Sequence, residues 1–243
     1  MKINKISAII AATFGILTAS AQVSSPYSKF GYGLLNDNAT SAQSQMGGVG
    51  YAMHSGRQIN VMNPASYASI DSLTFLFDMG VDFTVIKSTD TGIEPQVKEQ
   101  RYGGGLDYLT LQVPIGKRFG ASIGLLPYSS VGYSFGSEIK NGINTRQGSG
   151  GLNQLYLGFG AKIIDGLTVG ANISYLFGNV VNDVYVATDN GSSSLFEHVT
   201  EVRDYHLQFG LQYHRTFGED HTLGLGVVSV SYTHLRAHET ELH

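Results

Sequence analysis

The sequence predicts an all-β protein, a transmembrane antiparallel β-barrel with an N-terminal plug, and three observations lead to this prediction. Apolar and polar residues alternate along about seven segments of the chain. The connections between these segments are long and tight in turn. Charged residues make up 14% of the chain, whereas soluble domains average about 25%. An outer-membrane barrel combines these features, because each strand turns one face to lipid and the other to the lumen.

The first 21 residues are predicted to be a secretory signal peptide. Two lysines precede an apolar run from about Ile6 to Ala19, and Ala19-Ser20-Ala21 forms an A-x-A cleavage site. The apolar run is shorter than the roughly 20 residues that a membrane-spanning helix needs, so a membrane anchor is the weaker interpretation. We expect a mature chain that begins near Gln22 and is exported to the outer membrane of a Gram-negative cell.

Residues 22–72 are predicted to form an N-terminal element that is distinct from the strands. They alternate poorly and contain one short candidate strand at residues 47–53. Asn63 is a good N-cap and Pro64 a good first helical residue, so we expect a short helix from Pro64 to about Ser69. A polar extension is the simpler interpretation of this element, and a folded plug or hatch is the more specific one.

Residues 73–229 carry the alternation and are predicted to be the N-terminal half of a barrel. Successive side chains of a strand point to opposite faces, so odd apolar positions should face lipid and even polar positions should face the lumen. The apolar sets of the seven strands begin at Leu73, Leu109, Phe119, Leu155, Leu167, Tyr205 and Leu223. In the sixth strand the lumen-facing polar residues are predicted to be Asp204, His206 and Gln208. The apolar set of the third strand is interrupted at Pro127 and resumes with Val131, Tyr133 and Phe135.

Six connections join these strands and differ in length by turns. The predicted links are, in chain order, residues 87–104 (long), 116–118 (tight), 138–150 (long), 164–166 (tight), 179–203 (long) and 218–222 (tight). Outer-membrane barrels have short periplasmic turns and long extracellular loops. Soluble sandwiches mix link lengths without this order, so the connections favour a barrel.

Residues 230–243 are predicted to be a non-native tail. They are rich in charged residues and histidine and show no alternation, and they look like a translated library adapter fused to a truncated reading frame. His234 and His238 have the i, i+4 spacing of a metal pair, so a natural metal-binding tail is the alternative. About seven strands are also fewer than the even number, eight or more, of bacterial single-chain barrels, so we expect the natural protein to be longer.

Four segments carry a family resemblance in register with the strand pattern. They are Ser-Pro-Tyr-Ser-Lys-Phe-Gly at 25–31, Asn-Pro-Ala at 63–65, Leu-Pro-Tyr-Ser-Ser-Val-Gly-Tyr at 126–133 and Gly-Leu-Thr-Val-Gly-Ala-Asn-Ile-Ser-Tyr at 166–175. Over about residues 22–229 the chain resembles the FadL family (OmpP1/FadL/TodX) in its Bacteroidetes branch. The resemblance implies a fourteen-stranded barrel plugged by a hatch that contains Asn63, Pro64 and Ala65. It also implies a lateral exit at a kink in the third strand, which places that exit at Pro127 and Tyr128.

The leading functional hypothesis follows from the resemblance and is passive uptake of hydrophobic solutes, such as long-chain fatty acids or aromatic hydrocarbons. Its partners would be the hydrophobic small molecule and outer-membrane lipid. The alternative is an adaptor or assembly role in type IX secretion, with a secretion-system protein as the partner.

Other functional classes are disfavoured by the sequence. Asp204, His206 and His214 share a face, but that face is the wet one, and no serine has a nucleophile-elbow context. We therefore predict no enzyme, no catalytic residue and no cofactor. The chain has no Cys and hence no thiolate metal site, and no metal site is predicted. A net charge of −4 with scattered basic residues argues against nucleic-acid binding.

Overall fold

The computed structural model of the protein describes residues 25–90, 97–139, 141–218, 221–231 and 237–242. The predicted signal peptide lies outside these ranges. Within them the chain forms an antiparallel sheet that curls into half of a barrel, which confirms the predicted all-β, antiparallel class. None of the helices in the described ranges has both the length and the apolar character needed to cross a membrane.

Seven long strands account for most of the sheet, as the alternation predicts. The strands of the described residues are β1 (Leu34–Leu35), β2 (Leu76–Asp90), β3 (Val97–Ile115), β4 (Phe119–Ile139), β5 (Gly142–Ile164), β6 (Leu167–Thr188), β7 (Ser193–Phe217), β8 (His221–Ser231) and β9 (Ala237–Leu242). Strands β2 to β7 each pair with the next strand in the chain, which gives the order β2-β3-β4-β5-β6-β7-β8, while β1 pairs with β4 and β9 pairs with β7. Strand β9 falls in the predicted tail, whose non-native origin stays a prediction.

The three long connections predicted from the sequence are wrong in extent. The β4–β5 ladder continues to the pair Ile139–Gly142, and the β6–β7 ladder continues to Ala187–Ser193. The β2–β3 ladder likewise reaches residues 90 and 97, and residues 91–96 lie outside the described ranges. Alternation marks a strand only where its two faces meet different surroundings, whereas backbone hydrogen bonds continue through polar residues. The hairpins therefore run well beyond the segments that alternate.

The two faces of the sheet differ in exposure. Phe159 and Phe209 are 52% and 51% exposed, whereas Gln154 and Gln208 are 0% and 5% exposed. We call the face of the two phenylalanines the outer face and the face of the two glutamines the inner face. The turns at 116–118 and 165–166 confirm the first two predicted tight links, and residues 219–220 of the third link, 218–222, lie outside the described ranges.

One residue in β4 reverses the face on which later side chains lie. The β4–β5 ladder shifts by one residue at Tyr128, directly after Pro127. Such a bulge moves every following side chain to the opposite face. Val131 and Tyr133 are therefore buried on the inner face, and the expectation that they and Phe135 continue the lipid-facing set is wrong.

Residues 25–75, which we call the N-terminal segment, pack against the inner face. The segment contains two 3-10 helices, η1 (Pro26–Lys29) and η2 (Pro64–Ser69), and one α-helix, α1 (Ser41–Gln45). Helix η2 confirms the short helix predicted at these residues. The candidate strand at 47–53 is wrong, because Gly47 and Gly48 adopt positive φ values of 77° and 80° in turns. The first barrel strand begins at Leu76 rather than Leu73, which has a positive φ of 67°.

Candidate functional site

Asn63 joins the start of η2 to two other parts of the chain. Its side-chain oxygen accepts a hydrogen bond from the Ala65 amide at 3.1 Å, which is the N-cap expected from the sequence. Its side-chain nitrogen donates to the Tyr51 carbonyl at 2.8 Å and to the Leu211 carbonyl of β7 at 3.2 Å. Asn63 and Ala65 are completely buried. The Asn-Pro-Ala motif is thus fastened to the sheet as well as capping a helix.

Inner-face glutamines hold the backbone of the N-terminal segment. Three of them donate side-chain N–H groups to its carbonyls: Gln208 to Met62 at 3.0 Å, Gln212 to Tyr51 at 2.9 Å and Gln112 to Tyr67 at 3.2 Å. All three side chains are buried. A carbonyl buried without a partner costs about 1–3 kcal/mol, so these donors favour one fixed position of the segment over a detached one.

Four glycines lie side by side on the inner face beneath η2. They are direct cross-strand partners in the order Gly120, Gly160, Gly170 and Gly210, and we call them the glycine row. A Cβ on Gly170 would overlap the Pro64 carbonyl group, and a Cβ on Gly210 would overlap the side-chain oxygen of Asn63. The missing side chains therefore let the backbone of η2 approach the backbone of the sheet.

Tyr67 anchors the other end of η2. Its side chain is 0% exposed, and its ring stacks on that of Tyr156 with the centroids 6.5 Å apart. Ile59, Val61 and Leu126 belong to the same buried cluster. Burial raises the pKa of the Tyr67 hydroxyl well above its ordinary value, so this side chain is neutral at physiological pH. The cluster closes the interface between the segment and strands β4 and β5.

The sheet has an opening between β3 and β4. Their ladder ends at the pair Leu109–Leu125, so in the described residues the β4 edge beyond Leu125 has no β3 partner. The N-terminal segment takes its place. Leu34 and Leu35 pair with Ser130 and Ser129 of β4.

Two further backbone hydrogen bonds extend this contact along β4. The Asn36 amide donates to the Tyr128 carbonyl at 2.9 Å, and the Ser25 amide donates to the Gly132 carbonyl at 2.6 Å. The segment from Ser25 to Asn36 thus lies along the edge that β3 leaves open. An edge strand without such cover exposes unpaired backbone groups.

The structure brings the sequence-predicted residues into two groups. Asn63, Pro64 and Ala65 lie on the glycine row, where Gln208 also contacts the N-terminal segment. Pro127 and Tyr128 lie at the bulge beside the opening, and the Tyr128 ring is 6.3 Å from the ring of His206. Asp204 is half-buried and its side chain accepts a hydrogen bond from the Tyr205 amide at 2.7 Å. The functional roles assigned to these residues stay predictions.

Sequence reasoning missed the glycine row and the part played by Gln112 and Gln212. Glycine recurs at even positions of several strands, which is the available signal. Without the register between strands, however, it does not show that four of them align. No group of three or more His, Cys, Asp or Glu side chains in the described residues is arranged to hold a metal ion.

The family model BamG matches residues 1–242. No curated protein and no solved structure matches the chain. The fold and this match are consistent with an outer-membrane location, and they neither favour nor oppose the resemblance to FadL. Because the model covers nearly the whole sequence, the chain belongs to the BamG family.

Proposed function

We propose that this protein is an accessory component in the assembly of outer-membrane proteins. The family assignment suggests association with the BAM complex. In this proposal the protein is a barrel whose lumen is closed by a fixed plug, and it acts through its rigid surface rather than by conducting a solute.

One observation carries the proposal: the N-terminal segment is held against the inner face both by close backbone packing and by side-chain hydrogen bonds. Helix η2 sits on the glycine row, and buried carboxamides of Asn63 and Gln208 satisfy carbonyls across the interface. Each such hydrogen bond contributes about 0.5–1.5 kcal/mol. A plug held in this way suits a structural partner better than a hatch that must move with every transported molecule.

Co-purification and an assembly assay test the proposal together. A tagged copy is isolated from solubilised outer membranes, and BAM subunits are quantified against an unrelated tagged barrel. We expect BAM subunits to be enriched, and a reporter barrel to assemble more slowly in cells that lack the protein. No enrichment with an unchanged assembly rate would refute the proposal. Enrichment of type IX secretion proteins instead would favour the adaptor role in secretion.

Passive uptake of a hydrophobic solute is a second candidate, favoured by the opening between β3 and β4. In this version residues 22–72 are a movable hatch, with Asn63, Pro64 and Ala65 at its contact with the wall of a fourteen-stranded barrel. Pro127 and Tyr128 border a lateral exit to lipid, which the segment at Leu34–Leu35 covers until a solute displaces it.

Proline replacement tests the exit. Pro127→Ala removes the residue that precedes the bulge and should slow the uptake of a fluorescent long-chain fatty acid. Pro114→Ala is the matched control, because Pro114 is also a strand proline but lies in the intact β3–β4 ladder opposite Gly120. Equal uptake by both variants and the unmodified protein would show that Pro127 does not form a lateral exit.

A further inference from the structure

The outer face carries a groove that the proposed functions do not use. Its cavity volume is about 660 Å³, within the roughly 300–1,000 Å³ of ligand pockets. The walls include Phe119, Phe159 and Phe209, and the floor includes Ala161 and Ala171. The three phenylalanines are about half exposed. The groove is therefore an apolar channel that opens towards the lipid.

The shape of the groove follows from the glycine row. Gly160, Gly170 and Gly210 line the groove from behind, and on the inner face they support η2. On the outer face the neighbouring positions of β5 and β6 are the small residues Ala161, Val169 and Ala171. The wall is thus little thicker than its backbone at this point, and a recess forms between the larger side chains.

The end of the groove at Phe119 adjoins a basic turn. Lys117 and Arg118 precede Phe119 directly, and both are exposed. Asp165 of the next tight turn is paired with Lys162 at 2.8 Å and also attracts Arg118 electrostatically.

The position of this turn indicates which lipid leaflet the groove meets. At the opposite end of the sheet the β4–β5 and β6–β7 hairpins extend well beyond the alternating segments, whereas the turn at 116–118 follows those segments directly. Outer-membrane barrels have short periplasmic turns and longer extracellular loops, so this turn belongs to the periplasmic side, where the membrane surface is made of phospholipid headgroups. Cationic side chains at a membrane surface attract anionic lipids. An apolar groove that adjoins Lys117 and Arg118 is therefore complementary to an anionic lipid, with one acyl chain in hydrocarbon and a phosphate at the surface.

We infer that the groove and the turn bind an anionic phospholipid of the periplasmic leaflet, with an acyl chain along Ala161 and Ala171 and the phosphate at Lys117 and Arg118. The bound chain fills the thin part of the wall directly behind η2. The site is independent of whether the protein assists assembly or conducts a solute.

Lipid association can be measured with the full chain in nanodiscs that contain spin-labelled phosphatidylglycerol or phosphatidylcholine. We expect preferential immobilisation of phosphatidylglycerol. Replacing both Lys117 and Arg118 with Gln should lower that preference by about fivefold for each charge removed, without changing the signal of phosphatidylcholine. A preference that survives this double substitution would overturn the headgroup assignment.

A second variant tests the acyl site. Ala171→Phe fills the floor of the groove and should reduce the immobilised phosphatidylglycerol, whereas Ile173→Phe, at an exposed outer-face position on the same strand, should not. Circular dichroism checks that both variants fold. If Ala171→Phe fails to fold, Phe159→Leu shortens one wall and should weaken the same signal. Equal lipid signals in all folded variants would mean that the lipid is ordinary boundary lipid. If the variants lost a bound protein instead of lipid, the groove would be assigned to a protein partner. Either result overturns the inference.

Discussion

Replacing Gly170 with alanine tests whether the N-terminal segment rests on the glycine row. The new Cβ would overlap the Pro64 carbonyl group and lie 2.6 Å from the Ala65 nitrogen, where ordinary contacts begin at 3.4 Å. The obstructing atoms are backbone atoms, and the Pro64 carbonyl group lies closer still than the Ala65 nitrogen, so the start of η2 must retreat by more than about 0.8 Å. Gly170 has no positive φ, and the substitution therefore acts through this contact rather than through strain of its own backbone.

The expected cost can be worked out from the contacts that such a retreat disturbs. Moving η2 stretches the 3.2 Å hydrogen bond from Asn63 to Leu211 and the 3.0 Å bond from Gln208 to Met62. Overpacking costs about 1–3 kcal/mol, and each weakened hydrogen bond costs about 1 kcal/mol. Because some of the overlap is relieved as the bonds stretch, we expect a loss of about 2–4 kcal/mol in the free energy of unfolding.

The assay uses protein folded into lipid vesicles. The chain has no tryptophan, so unfolding in urea is followed by far-UV circular dichroism, and protease cleavage reports release of the N-terminal segment. Gly136→Ala is the matched control, because a Cβ there would lie 3.5 Å from the Thr145 hydroxyl oxygen, an ordinary contact. The reasoning is refuted if Gly170→Ala is as stable and as protected from protease as Gly136→Ala.

Three more predictions follow from the same contacts. Phe209→Arg should lower stability in lipid by roughly 2–4 kcal/mol if its outer-face position lies near the bilayer centre; urea unfolding in vesicles measures this, and no loss would contradict the face assignment. Asn63→Ala should cost about 0.5–2 kcal/mol for the cap and should increase protease cleavage of the N-terminal segment, whereas unchanged cleavage would mean that its contact with β7 is unimportant. Burial, His214 and Lys162 lower the pKa of His54, so its stabilising contribution is present above the unfolded-state pKa and is lost as the pH falls through the lower folded-state pKa. Protease cleavage of the N-terminal segment should therefore rise with acidification in that window. His54→Gln should remove this dependence of cleavage on pH.

The strands and their pairing could be predicted because the chemistry that specifies them is local. An outer-face side chain such as Phe209 or Leu157 must be followed along the strand by an inner-face side chain, whatever the rest of the fold. The short helix η2 was predictable for the same reason, because the Asn63 side chain accepts a hydrogen bond from a backbone amide of the first turn and Pro64 fixes the φ angle of the first helical residue.

The rest depends on contacts between distant residues. The bulge at Tyr128 reverses the faces of Val131 and Tyr133, and nothing in those residues signals the reversal. Gln208 reads as an ordinary lumen-facing side chain, so alternation alone suggests that Gln208→Arg is mild. Because Gln208 donates a hydrogen bond to the Met62 carbonyl, we expect the same change to be disruptive. The four glycines of the glycine row come side by side only through the register between strands β4 to β7.

Cysteine cross-linking tests whether the N-terminal segment is fixed against the wall of the half-barrel. The chain contains no cysteine, so an introduced pair is unique. Leu34 and Ser130 are partners in an antiparallel ladder, where Cα atoms are about 4.5–5.5 Å apart, within the range that a disulfide spans. Leu34→Cys with Ser130→Cys should cross-link on oxidation of intact outer membranes, whereas Leu34→Cys with Ser137→Cys, seven residues along β4, should not. Equal and low cross-linking of both pairs would contradict the account, because the segment would then not lie along β4.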